Sequence, residues 1–158
     1  MTQTTQNNPL TITRIFDVPV ERVWKAVSDA KEVQRWWGPH DCTCPSCSMD
    51  FRVGGKYVLC MRSDDGEMWN TGVFKEIIPM KKIVRMESAA DKNGNAVPPS
   101  YYGHPELAME LEMIWLFDEM KGGKTRMTFT HVGLSDSVRK ECEIGWNQAF
   151  DKLAKLFG

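Results

Sequence analysis

The sequence predicts an α+β fold in which a curved antiparallel β-sheet packs against one long C-terminal helix. The first observation is a run of about six segments with strand-like alternation over residues 49–132, separated by turns rich in glycine and proline. The second is a stripe of apolar residues at helical spacing over residues 135–157. Strands joined as hairpins and followed by a helix indicate an antiparallel sheet rather than alternating βα units.

The first predicted elements are a strand and two short helices. Residues 10–16 alternate between apolar and polar side chains, which predicts a strand. Pro19 suits the first turn of a helix, and apolar residues recur at helical spacing from Val20 to Val27. Asp29 can cap a second short helix, which the Gly38-Pro39 pair ends.

Glycine-containing turns divide the following residues into strands. The pairs Gly54-Gly55, Asp65-Gly66 and Gly122-Gly123 indicate β-hairpins. Residues 89–105 carry several Gly, Pro and Asn residues and are predicted to form a long loop. The turns therefore predict strands over residues 49–53, 56–62, 68–78, 83–88, 107–117 and 125–132.

The length of 158 residues predicts a single domain. Residues 1–9 are rich in Thr, Gln and Asn, so we expect a flexible N-terminus followed by one domain over residues 10–158. The polar N-terminus lacks the apolar core of a signal peptide, which predicts a cytoplasmic protein.

The charge balance and hydropathy exclude two classes of function. The formal net charge is -1, whereas a general nucleic-acid binder needs a strongly basic face. No apolar run approaches the roughly 18 residues of a transmembrane helix. We therefore expect neither a nucleic-acid partner nor a membrane span.

One face of the predicted sheet is rich in methionine and aromatic side chains. In the strand over residues 107–117, Met109, Met113 and Trp115 share a face. In the strand over residues 125–132, Met127, Phe129 and His131 share a face. The long helix carries a matching apolar stripe, so the two surfaces pack together around either a filled core or a ligand cavity.

Several motifs resemble those of the START-like (SRPBCC) superfamily, and most of all the homologues of the C-terminal domain of the activator of heat-shock protein 90 ATPase. They are residues 16–24 (FDVPVERVW), 36–39 (WWGP), 49–57 (MDFRVGGKY) and 71–77 (TGVFKEI), and Gly145-Trp146 in the last helix. The resemblance implies a helix-grip fold with a deep cavity between the long helix and the sheet. The superfamily includes lipid carriers, polyketide cyclases and co-chaperones.

The cavity that the resemblance implies would be lined by residues of the apolar face and of the long helix. Trp69 and Met86 are less certain members because a shift of one residue in a strand reverses the face of every side chain. The candidate ligand-binding residues are Trp69, Met86, Met109, Met113, Trp115, Met127, Phe129, His131, Trp146 and Phe150.

A second cluster combines His40 with Cys42, Cys44 and Cys47. Soft ligands at this spacing are compatible with a zinc site, but zinc sites usually contain two separated pairs of ligands. Structural thiols and a redox-sensitive cluster are the alternatives. If the segment is a strand, Cys42 and Cys44 point to one face and Cys47 to the other. We expect no metal and no other cofactor.

His131 is the one candidate for acid–base catalysis, although a histidine on an apolar face is more often a hydrogen-bonded core residue. No nucleophile elbow, HExxH motif or phosphate loop is present. Tyr101 and Tyr102 lie in the long loop and are candidates for a lid over the cavity, the alternative being a mobile solvent-exposed loop.

The sequence therefore predicts a protein that binds a hydrophobic small molecule or lipid-like ligand. One alternative is a protein-interaction module related to the chaperone activator, with a chaperone as partner. Another is an enzyme similar to polyketide cyclases and dehydratases, with His131 as the acid–base group. A homodimer formed through an exposed edge strand is also possible.

Overall fold

Seven antiparallel strands form one curved sheet in the computed structural model, which describes residues 9–158. The flexible N-terminus predicted for residues 1–9 lies almost entirely outside the described residues. The strands are β1 (Leu10–Phe16), β2 (Thr43–Met49), β3 (Lys56–Ser63), β4 (Gly66–Ile78), β5 (Lys82–Ala90), β6 (Leu111–Met120) and β7 (Lys124–Val132). The helices are α1 (Val20–Ser28), α2 (Ala30–Val33), α3 (Asp136–Leu156) and a single 3₁₀ turn (Pro99–Tyr102).

The strand order is β1-β7-β6-β5-β4-β3-β2, so the first strand closes the sheet against the last. Leu10 pairs with His131 and Phe16 pairs with Thr125 across that junction. All other neighbours are consecutive antiparallel strands, which confirms the α+β helix-grip fold expected from the sequence. β1 and β2 form the two edges, and dimerisation through either of them stays a prediction.

Helix α3 packs on the concave side of the sheet through a cluster of aromatic rings. The ring of Phe129 lies 4.4 Å from Trp146 and 4.6 Å from Trp115, measured between centroids. Phe150 and Trp36 complete the cluster, and both are fully buried. The Trp36 indole N–H donates to the carbonyl of Ala26 at 2.8 Å, which satisfies the buried polar atom and ties the segment after α2 to α1.

Two predicted strands have different bounds in the structure. Residues 50–55 form a hydrogen-bonded turn in which Arg52 N donates to Asp50 O and Gly55 N donates to Arg52 O, so β2 ends at Met49. A turn over residues 104–107, closed by Leu107 N donating to His104 O, precedes the irregular residues 108–110, so β6 begins only at Leu111. In both places short-range turn bonds replace the inter-strand ladder that alternation predicts.

Trp146 and His131 form a buried polar contact between α3 and β7. The Trp146 indole N–H donates to Nδ1 of His131 at 3.2 Å. The His131 side chain is almost completely buried. Burial lowers the pKa of His131 to about 4, and the positive charge of Arg85 adds to this effect.

Gly72 is a position where two strands and a side chain approach too closely for any Cβ atom. An added Cβ would lie 1.8 Å from the Met86 carbonyl oxygen and 2.8 Å from the Tyr57 hydroxyl. Tyr57 pairs with Gly72 across β3 and β4, and its hydroxyl reaches over the glycine to donate to Met86 O at 2.7 Å.

We predict that Gly72→Ala lowers the free energy of unfolding by about 1–3 kcal/mol or more, because backbone and Tyr57 must shift to admit the methyl group. The matched control is Gly145→Ala in α3, where an added Cβ meets only Pro39 Cγ at 3.4 Å. Alanine at that helical position is expected to leave stability unchanged or to raise it by up to about 1 kcal/mol. Urea unfolding of both variants measures the difference, and equal stabilities would contradict the prediction.

We also predict a loss of stability on acidification that depends on His131. Because the unfolded chain binds a proton at the ordinary histidine pKa of 6.5 and the folded protein only near pH 4, the unfolded state gains protons first as the pH falls. The free energy of unfolding therefore decreases between these two pH values, by up to about 1.4 kcal/mol per pH unit. His131→Gln keeps an acceptor for Trp146 without a titrating ring, and its stability should vary less over this range. Identical pH profiles for the two proteins would refute this.

Candidate ligand-binding cavity

A cavity of about 300 Å³ lies between α3 and the concave face of the sheet. Its walls are mostly apolar, and four polar side chains interrupt them. The lining residues are Trp37, Gly38, Pro39, Met61, Met68, Asn70, Glu87, Leu107, Leu111, His131, Leu134, Glu141, Cys142, Gly145, Trp146 and Ala149.

Four parts of the chain build these walls, one of which is the stretch over residues 107–134 with Leu107, Leu111, His131 and Leu134. β3, β4 and β5 supply Met61, Met68 and Glu87 from the sheet, since side chains two residues apart on a strand share a face. Helix α3 supplies one stripe at helical spacing that includes Cys142 and Trp146. The segment 37–39, which follows α2, forms the rim beside α3.

Lys152 fixes that rim to α3. Its ammonium group donates to the carbonyl oxygens of Trp37 at 3.2 Å, Pro39 at 3.2 Å and Cys42 at 3.0 Å. Partial burial lowers the pKa of Lys152. The three charge-assisted hydrogen bonds hold the segment at a defined distance from the helix and so set the shape of one side of the cavity.

Glu87 is a carboxylic acid in the cavity wall with few hydrogen-bond donors near it. Its Oε1 lies 3.3 Å from the Tyr57 hydroxyl oxygen. That hydroxyl makes its shorter bond, of 2.7 Å, to the carbonyl of Met86. Burial raises the pKa of Glu87, and the positive charge of Arg85 partly opposes this rise.

Arg85 lies under the cavity among aromatic rings. Its guanidinium carbon is 4.5 Å from the centre of the Tyr57 ring and 4.8 Å from that of Trp37. The side chain is buried, its Nη2 meets the sulfur of Met113 at 3.6 Å, and its Nε has no hydrogen-bond partner among the described residues. The charge is therefore held mainly by cation–π contacts and by the nearby Glu87.

His131 lines the cavity as a neutral ring. The Trp146 N–H can only donate, so the Nδ1 that accepts from it carries no proton and the neutral ring is protonated at Nε2. Nε2 is buried and has no partner within residues 9–158. With a pKa near 4, the imidazole is a hydrogen-bond donor at neutral pH and a poor base, and its role as a catalytic residue stays a prediction.

A smaller cavity of about 60 Å³ lies on the side of the long loop and shares Met68, Asn70 and Glu87 with the larger one. Tyr102 lines it, while its hydroxyl donates to Ala90 O and accepts from Trp69 N at 3.1 Å. Tyr101 is 59% exposed and packs on Tyr102. The loop is thus anchored at Tyr102, and a lid function for both tyrosines stays a prediction.

The candidate ligand-binding residues fall into three groups in the structure. His131 and Trp146 line the larger cavity. Five others, Met113, Trp115, Met127, Phe129 and Phe150, are fully buried and fill the core behind it. The remaining three, Trp69, Met86 and Met109, lie away from the cavity wall.

The last three differ from expectation for two reasons. Trp69 lies between the cavity-lining Met68 and Asn70, so it is on the opposite face of β4, and Met86 precedes cavity-lining Glu87 in the same way. Met109 is 55% exposed because it precedes the start of β6. The lining residues Met68, Asn70 and Glu87 went unrecognised, although a shift of one residue in the predicted faces of β4 and β5 would have found them.

The cysteine cluster does not form a shared site. A register shift between Thr43 and Ser46 places an extra residue in β2, and both Cys44 and Cys47 contact the core, which corrects the expectation of opposite faces. Burial raises the pKa of Cys44 to about 11 and that of Cys47 to about 12, so both stay protonated at neutral pH. The side chain of His40 faces helix α3 instead, and its Nε2 lies 3.7 Å from Oδ2 of Asp151. No group of three metal-ligating side chains occurs among residues 9–158.

Solved structures share this architecture. Protein CV1439 from Chromobacterium violaceum superposes with a TM-score of 0.79 at 21% identity, covering 96% of this chain and 97% of its own. Protein NE0264 from Nitrosomonas europaea gives a TM-score of 0.74 at 24% identity, with coverages of 94% and 92%. The AHSA1 protein of Silicibacter pomeroyi gives 0.75 at 22% identity, with coverages of 94% and 96%. At these identities the likeness shows the fold alone.

No curated protein matches the sequence. None of the helices within residues 9–158 is long and apolar enough to cross a membrane. The family model described as activator of Hsp90 ATPase homolog 1-like protein matches residues 17–158, which is most of the chain and confirms the resemblance found in the sequence. The chain therefore belongs to the family of activator of Hsp90 ATPase homolog 1-like proteins.

Proposed function

We propose that the protein binds a hydrophobic small molecule or lipid-like ligand in the cavity between α3 and the sheet. The observation that carries the proposal is a mainly apolar space of about 300 Å³ in a domain of this size. Protein interiors are otherwise close-packed, with few voids larger than a water molecule. Small-molecule sites typically have volumes of about 300–1,000 Å³, apolar walls and a few placed polar groups.

The composition of the walls supports an apolar ligand. Met61 and Met68 can adapt to different ligand shapes because methionine side chains are flexible and polarisable. Trp37 and Trp146 pack edge to face with ring centroids 5.1 Å apart and together offer an aromatic surface at the rim. The fold family also commonly accommodates hydrophobic ligands.

We predict that filling the cavity weakens ligand binding while the fold is retained. Cys142→Phe places an aromatic ring in the cavity from α3, and it should weaken binding of the neutral fluorescent probe N-phenyl-1-naphthylamine about tenfold or more, a difference of about 1.4 kcal/mol or more. Fluorescence titration measures the affinity, and thermal unfolding checks that each protein is folded.

The matched control is Ile144→Phe, on the same helix but at a position that is 52% exposed and outside the cavity. This variant should bind the probe as the original protein does. Equal probe affinity for both variants, or no probe binding by the unmodified protein, would contradict the proposal. Native mass spectrometry of freshly purified protein would then identify any bound organic molecule by its mass.

The family description supports a second candidate function, the stimulation of a chaperone ATPase through the protein surface. To test it, the ATPase rate of an Hsp90 chaperone is measured with and without an excess of this protein. Stimulation that is equal for the unmodified protein and for Cys142→Phe would favour the surface-mediated function over ligand binding.

A further inference from the structure

We propose that the ligand is uncharged and carries a hydroxyl group that donates a hydrogen bond to Glu87. This inference rests on the proposed function and specifies the chemical class of the ligand. It follows from three properties of the cavity floor: the shortage of donors at Glu87, the fixed positive charge of Arg85 and the absence of lysine and arginine among the lining residues.

The carboxyl group of Glu87 has one weak hydrogen-bond donor, the Tyr57 hydroxyl. Tyr57 has a single hydroxyl proton, which its 2.7 Å contact to Met86 O shares with Oε1 of Glu87 at 3.3 Å, so Glu87 receives only the longer and weaker of the two bonds. No ion pair to Glu87 occurs within residues 9–158. An oxygen of Glu87 is therefore available in the wall as an acceptor.

Asn70 adds a second acceptor next to it. The amide Nδ2 of Asn70 donates one of its two N–H groups to the carbonyl of Ser88 at 3.4 Å, which leaves its Oδ1 as an acceptor and its second N–H as a donor. Asn70 and Glu87 line both cavities together. Glu87 accepts a hydrogen bond and Asn70 can accept or donate one, so the complementary ligand group is one that donates to Glu87 and can also accept, as a hydroxyl does.

The charge near the floor argues against a ligand that carries an ammonium group. Arg85 is permanently charged and buried, and its field helps to keep His131 neutral in the same wall. A ligand cation at Glu87 would meet this field in a medium that screens it poorly. The donor is therefore an uncharged group.

An anionic ligand group is disfavoured for the opposite reason. Two carboxyl side chains, Glu87 and Glu141, line the larger cavity, and no lysine or arginine does. A carboxylate in the ligand would have to be stripped of water beside Glu87 without a direct cationic partner. The ligand group must therefore donate a hydrogen bond to Glu87 and carry no charge. An alcohol or a phenol does both.

The experiment is calorimetric titration with five ligands that share one apolar ring system at neutral pH: naphthalene, 2-naphthol, 2-methoxynaphthalene, 2-naphthoate and 2-naphthylmethylammonium. We expect 2-naphthol to bind about tenfold more tightly than naphthalene, as a hydrogen bond to a buried acceptor warrants. The methoxy compound has no donor and should lack this advantage. Tightest binding of the anion or of the cation would overturn the inference.

Variants of Glu87 test its role. Glu87→Leu should remove the preference for 2-naphthol over naphthalene while naphthalene itself still binds. Glu87→Gln keeps an acceptor oxygen and should keep the preference, whereas Glu87→Met, which has the length of glutamate but no oxygen, should lose it even if the leucine variant does not fold. The matched control is Glu141→Leu, at the exposed carboxyl of the same cavity, and its preference should be unchanged.

The outcomes separate this inference from the proposed function. If naphthalene binds in the cavity but 2-naphthol has no advantage, or if the advantage survives in Glu87→Leu, the hydroxyl inference is wrong and the cavity function stands. If no ligand of the series binds and Cys142→Phe behaves like the unmodified protein, both are wrong.

Discussion

The packing of α3 against the concave face of the sheet is the contact on which the rest of the structure depends. Its C-terminal half is held closely, with Phe150 and Leu153 fully buried against the core. Earlier in the helix, Glu141, Cys142 and Gly145 border the cavity instead, although Trp146 still contacts Phe129 of the sheet. A single straight helix on a curved sheet cannot touch it equally along its whole length, so the same contact that creates the core also leaves the cavity.

The floor of the cavity is polar in a way that folding alone does not favour. Buried polar groups without partners are each expected to reduce stability by about 1–3 kcal/mol. Arg85, Trp115 and His131 each contain a buried nitrogen without a hydrogen-bond partner in the described part of the chain, and Arg85 carries a full charge. Apolar side chains of similar size would pack there with less loss of free energy. Their concentration under a cavity is the pattern expected of a site that serves binding rather than stability.

The fold could be predicted from the sequence because its signals are local. Glycine-containing turns, the proline before α1 and the apolar stripe of α3 each act over a few residues. The cavity lining was less predictable because it depends on register. Trp69 and Met86 differ from Met68 and Glu87 by one position, and alternation alone does not say which of the two neighbours faces inward. Likewise, the apolar side chains Phe129 and Phe150 carry the same pattern whether they fill a core or border a cavity.

The contacts of Lys152 have a consequence for how a ligand would enter. The ammonium group ties residues 37–42 to α3 at three points, and Tyr102 ties the far end of the long loop to β4 and β5. These contacts hold two sides of the cavity mouth in place, at residues 37–42 and at Tyr102. Between them lies the stretch over residues 103–110, held mainly by its own turn and contributing Leu107 to the cavity wall. If a ligand enters the cavity, we therefore expect residues 103–110 to move and the rim at Trp37–Pro39 to stay in place.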